Sequence, residues 1–443
     1  MQHLYEQIFY NKEVNALFTD EATITYLLRF ESALVQAQAK HAVIPDEAAA
    51  IIGECCKTEN INKEELIKNA VLGGNIAIPL IKQLTAVVKE KDKEAAKYVH
   101  FGATSQDVID TALMLQTKDA LQIITSDLNQ LIEQLTALAE EYKSTVMIGR
   151  SFMQQAKPIT FGFKIAGWLD PLLRSQEAIL ALLQHGFVLQ LGGAVGTLSS
   201  MPQEGLHVSG TMSELLQLNN PTKPWHTERD YFVHIATTLG ILSGNIGKIA
   251  KDISLLMQTE IAEVMEPSIE GKGGSSTMPH KRNPVGCVAI LANALRIPAL
   301  VSTMLSCMLQ DHERATGLWH AEWETMATII QLAAGCVHKA VELTDGLEVR
   351  KEQMLHNLEL TKGLIYAENV SLALAEKIGK ADAHNLIEQL SKEAQDRNMH
   401  LQDLLLSKGY ITKYLSADQI ENLFNPELSL EWCVEIIKRV LDM

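Results

Sequence analysis

The stretch GGSSTMPHKRNP, residues 273–284, gathers hydroxyls, an imidazole, two cations and an amide into twelve positions. Its two prolines, five apart and preceded by glycines, exclude a helix interior or a central strand, so the segment is a loop. A serine hydroxyl carries a proton only where its alkoxide is stabilised. Here the backbone N–H groups of a glycine-rich turn, and Lys281 six residues after Ser275, supply the means. Asn283 adds an amide suited to holding a carboxylate, and the glycines form a hinge on which the loop can close and exclude water. His280 is a competing proton carrier that the neighbouring Lys281 and Arg282 bias toward its neutral form. Composition by itself favours a polar surface connection over all of this.

Three further stretches hold chemistry-bearing residues. In HFGATSQDVIDTA (100–112), Thr104 with Asp107 three positions on reads as a capping box, and a helix N-terminus attracts anions. GRSFMQQAKPITFG (149–162) brings Arg150 and Gln154. QLGGAVGT (190–197) is glycine-rich, but no βαβ pattern surrounds it, which rules out a dinucleotide fingerprint. Among fourteen histidines none forms HExxH or another ligand spacing, so no metal is expected.

Long helices must position these residues. Apolar residues recur at three and four over 20–43, 104–142, 229–265, 285–313 and 318–345, while strand-like alternation is scarce. Helices this long need partners along their whole length, which predicts an all-α fold built on a long-helix bundle shared between subunits. The breaks predict an N-terminal helical domain (1–104), a central bundle (105–348) and a C-terminal helical domain (349–443), where Ser416 and Gln419 form a second capping box. Apolar content of 47% suits a buried interior, and 38 basic against 54 acidic residues argue against a nucleic-acid binder. Six scattered cysteines read as reduced thiols, and no signal peptide is apparent, so a cytoplasmic protein is expected. The most apolar segment, 288–309, contains Asn293, Arg296 and Pro298, which argues for an oligomer interior over a membrane span.

GSSTMPHKRNP resembles the signature of the fumarase/aspartase superfamily at every fixed position, and HFGATSQDVIDTA and GRSFMQQAKPITFG resemble its two other blocks. The resemblance covers essentially the whole chain. It implies a three-domain subunit, a homotetramer with active sites assembled from three subunits, and Ser275 as the residue that moves a proton at carbon. It also implies substrate-carboxylate contacts from Lys281, Asn283, Thr104 and Ser105, with Gln154 in the place of a substrate-contacting glutamine.

The second block departs from the lyases that expel amines or hydroxide. Those usually have histidine where this chain has Phe152. A poor leaving group needs a proton, and acid help is worth about 10²–10⁴-fold. A carboxylate, with a pKa near ~4, needs none. This points to the superfamily branch that interconverts carboxymuconate and its lactone, which typically has an aromatic residue here. WHTERDYF (225–232) and HERATGLWHAEW (312–323) resemble the same branch and bring His226, His312 and His320 close to Arg229 and Arg314 as anion-binding candidates. The expected substrate is a tricarboxylate clamped by Arg150, Lys281, Arg314, Thr104, Ser105 and Asn283, with no cofactor. Two alternatives stand beside it: another lyase of the superfamily, for adenylosuccinate or an amino-dicarboxylate, and a non-catalytic helical assembly.

Overall fold

The computed structural model describes residues 4–268, 273–274, 278 and 280–443, the side chains of 428 and 429 excepted. Ser275 lies outside the described residues. The described part is dominated by helices, as the periodicity predicts. Five are long: Ser105–Glu141, Phe161–His185, Asp230–Leu256, Val285–Ser306 and Leu318–Thr344.

The chain forms two compact units, each assembled from separated stretches. The first comprises residues 1–129, 174–247 and 289–340, and the second 130–173, 248–288 and 341–443. The division along the sequence at 104/105 and 348/349 follows helix length, whereas these units follow proximity.

In the first unit the apolar stripes of the long helices are buried, among them Leu121, Leu128, Phe232, Ile235, Leu239, Ile297, Ile329 and Ile330. Asn293, fully buried, donates from Nδ2 to the carbonyl of Phe9 at 2.6 Å. That carbonyl can come so close because Gly335 has no side chain: a Cβ there would sit 1.9 Å from it. Val285–Ser306 is the one helix among the described residues that is long and apolar enough to cross a membrane. Ile290, Ile297 and Met304 on it are fully buried, while Val288, Leu295 and Leu305 are exposed.

In the second unit, Val146–Ser151 and Gln154–Thr160 form an antiparallel hairpin that the sequence pattern did not announce. Ile148 joins a core with Leu358, Val370, Leu374, Ile387 and Leu404 from the C-terminal helices. Ser416 and Gln419 make both halves of the expected capping box.

Candidate functional site

The candidate residues fall into two groups, one in each unit. In the first unit the group gathers at the start of the Ser105–Glu141 helix. Asp107, fully buried, is saturated with donors: the amides of Thr104, Gly192 and Gly193 at 3.0, 3.0 and 2.9 Å, and His226 Nε2 at 2.7 Å. One carboxylate thus closes half of the predicted capping box and pins the glycine loop against the helix end. Gly192 has no room for a side chain, since a Cβ would lie 2.6 Å from Pro224 and 2.9 Å from the His226 ring.

Arg314 reaches this corner from the loop before Leu318. Its Nη1 donates to Thr104 Oγ1 at 3.1 Å and, less directly, to the Ala194 carbonyl at 3.4 Å. No carboxylate pairs with it among the described residues. Burial holds its pKa below the usual guanidinium range, against the pull of Asp107 and Asp110. The structure therefore brings Thr104 and Arg314 together beside Ser105, and leaves cationic N–H groups with no internal anion. His312 lies exposed earlier in the same loop with a left-handed backbone (φ 45°).

Arg229 and His226, expected near bound anions, are both engaged internally. Arg229 is fully buried between two carboxylates: Nη1 and Nη2 lie 2.8 and 3.0 Å from Asp110, and Nη2 lies 2.6 Å from Glu322. Its guanidinium also stacks over Trp225. Two carboxylates share one cation, so burial pushes Glu322 up to about 7 although Arg229 pulls the other way. Asp110 further accepts Trp319 Nε1 at 2.8 Å. Asp110 and Trp319 were not singled out from the sequence, and Asp107 was read only as half of a capping box. The available signal was the three-residue spacing of the two aspartates, which puts both on one helix face.

The second unit holds the other group. Arg150 forms a bidentate pair with buried Glu263, at 2.9 and 2.7 Å, and Glu263 also accepts from Asn357 Nδ2 at 2.9 Å. The fork expected to clamp substrate is thus spent on anchoring the hairpin. Burial lowers the pKa of Lys164, which also lies in the field of Arg150.

At the hairpin tip Phe152 and Met153 occupy a two-residue turn with φ of 49° and 65°. Positive φ at both positions normally selects Asn-Gly. Phe152 is 98% exposed. Strain of about 1–3 kcal/mol at such a residue persists only where the surroundings or the function demand it. Gln154 follows, exposed.

The residues flanking Ser275 pair with one another. The Asn283 amide donates to the Gly273 carbonyl at 2.8 Å, and Gly274 bridges Arg282. Gly273 has φ 73°, and a Cβ there would collide with the Asn283 carbonyl at 2.7 Å. Arg282 is held by Glu348 through two 3.0 Å contacts. Lys281 and His280 are exposed and Asn283 is half-buried. Beyond the loop, Glu266 accepts from the Gly286 and Cys287 amides at 3.0 and 2.9 Å, which fixes the start of the next helix. No cluster able to hold a metal occurs among the described residues.

Comparison with known proteins shows the family to which the chain belongs. The family described as lyase matches residues 7–299, and that described as adenylosuccinate lyase C-terminus matches residues 363–440. The chain is 46% identical to a 3-carboxy-cis,cis-muconate cycloisomerase of Acinetobacter baylyi, over 96% of this chain and 95% of that one. The crystal structure of the β-carboxy-cis,cis-muconate cycloisomerase of Acinetobacter calcoaceticus superposes with a TM-score of 0.94, at 42% identity over 99% of this chain and all of the other. That of the 3-carboxy-cis,cis-muconate lactonizing enzyme of Pseudomonas putida also gives 0.94, at 39% identity over all of this chain and 98% of the other.

Proposed function

Because the chain belongs to the lyase family and is an enzyme of the fumarase/aspartase superfamily, we propose that it catalyses the reversible lactonisation of 3-carboxy-cis,cis-muconate to 4-carboxymuconolactone. The observation that carries the reading is Phe152: an apolar ring stands at the tip of the second-block hairpin where related lyases have an imidazole.

In the closing direction the substrate's own carboxylate attacks its double bond. Charge then develops on the adjacent carbon and spreads into a neighbouring carboxylate as an enolate. Donors at the helix start, with Arg314, Lys281 and Asn283, stabilise it. Ser275 delivers the proton to carbon. In the opening direction Ser275 removes that proton and a carboxylate leaves, which requires no acid. Positioning and charge stabilisation suffice, without metal or cofactor. Thr104, Ser105, Gln154 and His312 are further substrate contacts in this scheme. His226 orients the pocket through Asp107, and Arg150 holds the hairpin.

The assembly is a cytoplasmic homotetramer of three-domain subunits with sites completed by three of them, and its partners include neither nucleic acid nor membrane. The apolar face of Val285–Ser306 left exposed in one chain supports that assembly. The test offers the purified protein carboxymuconate, adenylosuccinate and argininosuccinate side by side and follows each by absorbance. Turnover of carboxymuconate alone is expected. Turnover of adenylosuccinate in its place would overturn the assignment.

A further inference from the structure

Among the described residues Arg314 has no acidic partner, and it lies outside the helices, yet a substrate clamp must be held still to be effective. What holds it is visible in the first unit. The guanidinium carbon lies 5.9 Å from the centroid of the Trp319 ring, within the range of a cation–π contact. The ring is itself fixed: Trp319 is buried, its Nε1 donates to Asp110 at 2.8 Å, and Trp323 meets it edge-on with centroids 4.9 Å apart. Asp110 cannot swing away, because Arg229 grips it through two further hydrogen bonds.

A chain of contacts therefore runs from a buried ion pair to a guanidinium that meets Thr104 at the helix start. A π-face suits this task better than a carboxylate would. It orients the guanidinium without neutralising it, so the cation remains available for a substrate anion.

We propose that Trp319, pinned by Asp110, is a positioning residue that presents Arg314 to a substrate carboxylate at the Thr104–Ser105 helix start. The inference rests on the tricarboxylate reading above. It concerns binding, so it can be tested without turnover.

The probe is tricarballylate, a stable tricarboxylate, titrated calorimetrically into the purified full-length protein. Trp319→Phe keeps a ring but loses the Nε1 donor, and should weaken binding about fivefold; Trp319→Leu, which loses the ring, should weaken it about tenfold or more. Arg314→Gln should weaken binding at least as much as Trp319→Leu.

The decisive readout is the double variant. If Trp319 acts through Arg314, Trp319→Phe has no further effect in the Arg314→Gln background, whereas an independent structural role predicts additive losses. Additive losses, an unchanged affinity in Trp319→Phe, or no binding of tricarballylate by the wild-type protein would each overturn the proposal. Should Trp319→Phe lose helical content, Asp110→Leu, which leaves the indole N–H without its acceptor, interrupts the same link from the other side and is read in the same cycle. Failure of the reaction assignment looks different: carboxymuconate is not turned over, yet the tricarballylate cycle remains non-additive.

Discussion

The two groups of candidate residues are held in opposite ways. In the first unit, Thr104 and Arg314 rest on buried charge: Asp107 accepts four hydrogen bonds, and Asp110 and Glu322 enclose Arg229. In the second unit, Phe152, Gln154, His280 and Lys281 stand exposed, on a strained turn and on a loop whose flanking residues are bridged. Buried carboxylates fix the side chains around the start of the Ser105–Glu141 helix within the chain itself. The aromatic tip and the lysine, by contrast, are each left exposed. The contrast separates residues fixed by burial from residues left exposed, and it can be broken by experiment.

The largest effect is expected at Ser275, which lies outside the described residues. Ser275→Ala should lower turnover of carboxymuconate about 10³-fold, inside the range of general acid–base help, with the KM and helical content nearly unchanged. Near-normal turnover would remove the serine from its role.

The next effect falls on the buried group. Arg229→Met strands Asp110 and Glu322 without a counter-charge and should cost about 3–5 kcal/mol of stability, read from urea unfolding. A loss of well under about 1 kcal/mol would show that those carboxylates are not held as charges.

Glu322 adds a dependence on pH. Its pKa rises from 4.5 to about 7 in the folded chain, so between these values the folded state holds a proton that the unfolded state has released. The resulting stability is complete below 4.5 and is lost as the pH rises through about 7. The loss amounts to at most roughly 3 kcal/mol. Urea midpoints at pH 5 and pH 8 should differ in that sense, and Glu322→Gln should flatten the difference.

The smallest effect probes the strained turn. Met153→Gly removes a side chain from a left-handed position and should raise stability by about 0.5–1 kcal/mol, measured as a higher melting temperature. A loss of stability instead would mean that the turn is held by its side chains.

Much of the helical frame was legible in the sequence. Periodicity over 104–142 and 318–345 corresponds to Ser105–Glu141 and Leu318–Thr344. The pattern over 229–265 overran, because the chain leaves the helix after Leu256 and, past Ala262 at φ 51°, lays Val264–Met265 against Glu348–Val349. That over 285–313 overran too, since the helix ends at Ser306 and the next residues carry the Arg314 loop. The hairpin was not read because one strand contains Pro158, and the Phe161–His185 helix was not read because Pro171 lies inside it.

Residue types and spacing determined, by themselves, that this is a helical chain with a serine–lysine–asparagine loop and no imidazole in the second block. They could not rank its arginines. Arg150, Arg229 and Arg314 each stand in a chemistry-bearing stretch, and local pattern makes them equivalent. Tertiary packing decided among them, because a guanidinium has one fork of donors and spends it once: on Glu263 for Arg150, on Asp110 and Glu322 for Arg229. Only Arg314 arrives at a helix start with an indole face against it and no carboxylate among the described residues to pair with, and that depends on which distant segments meet.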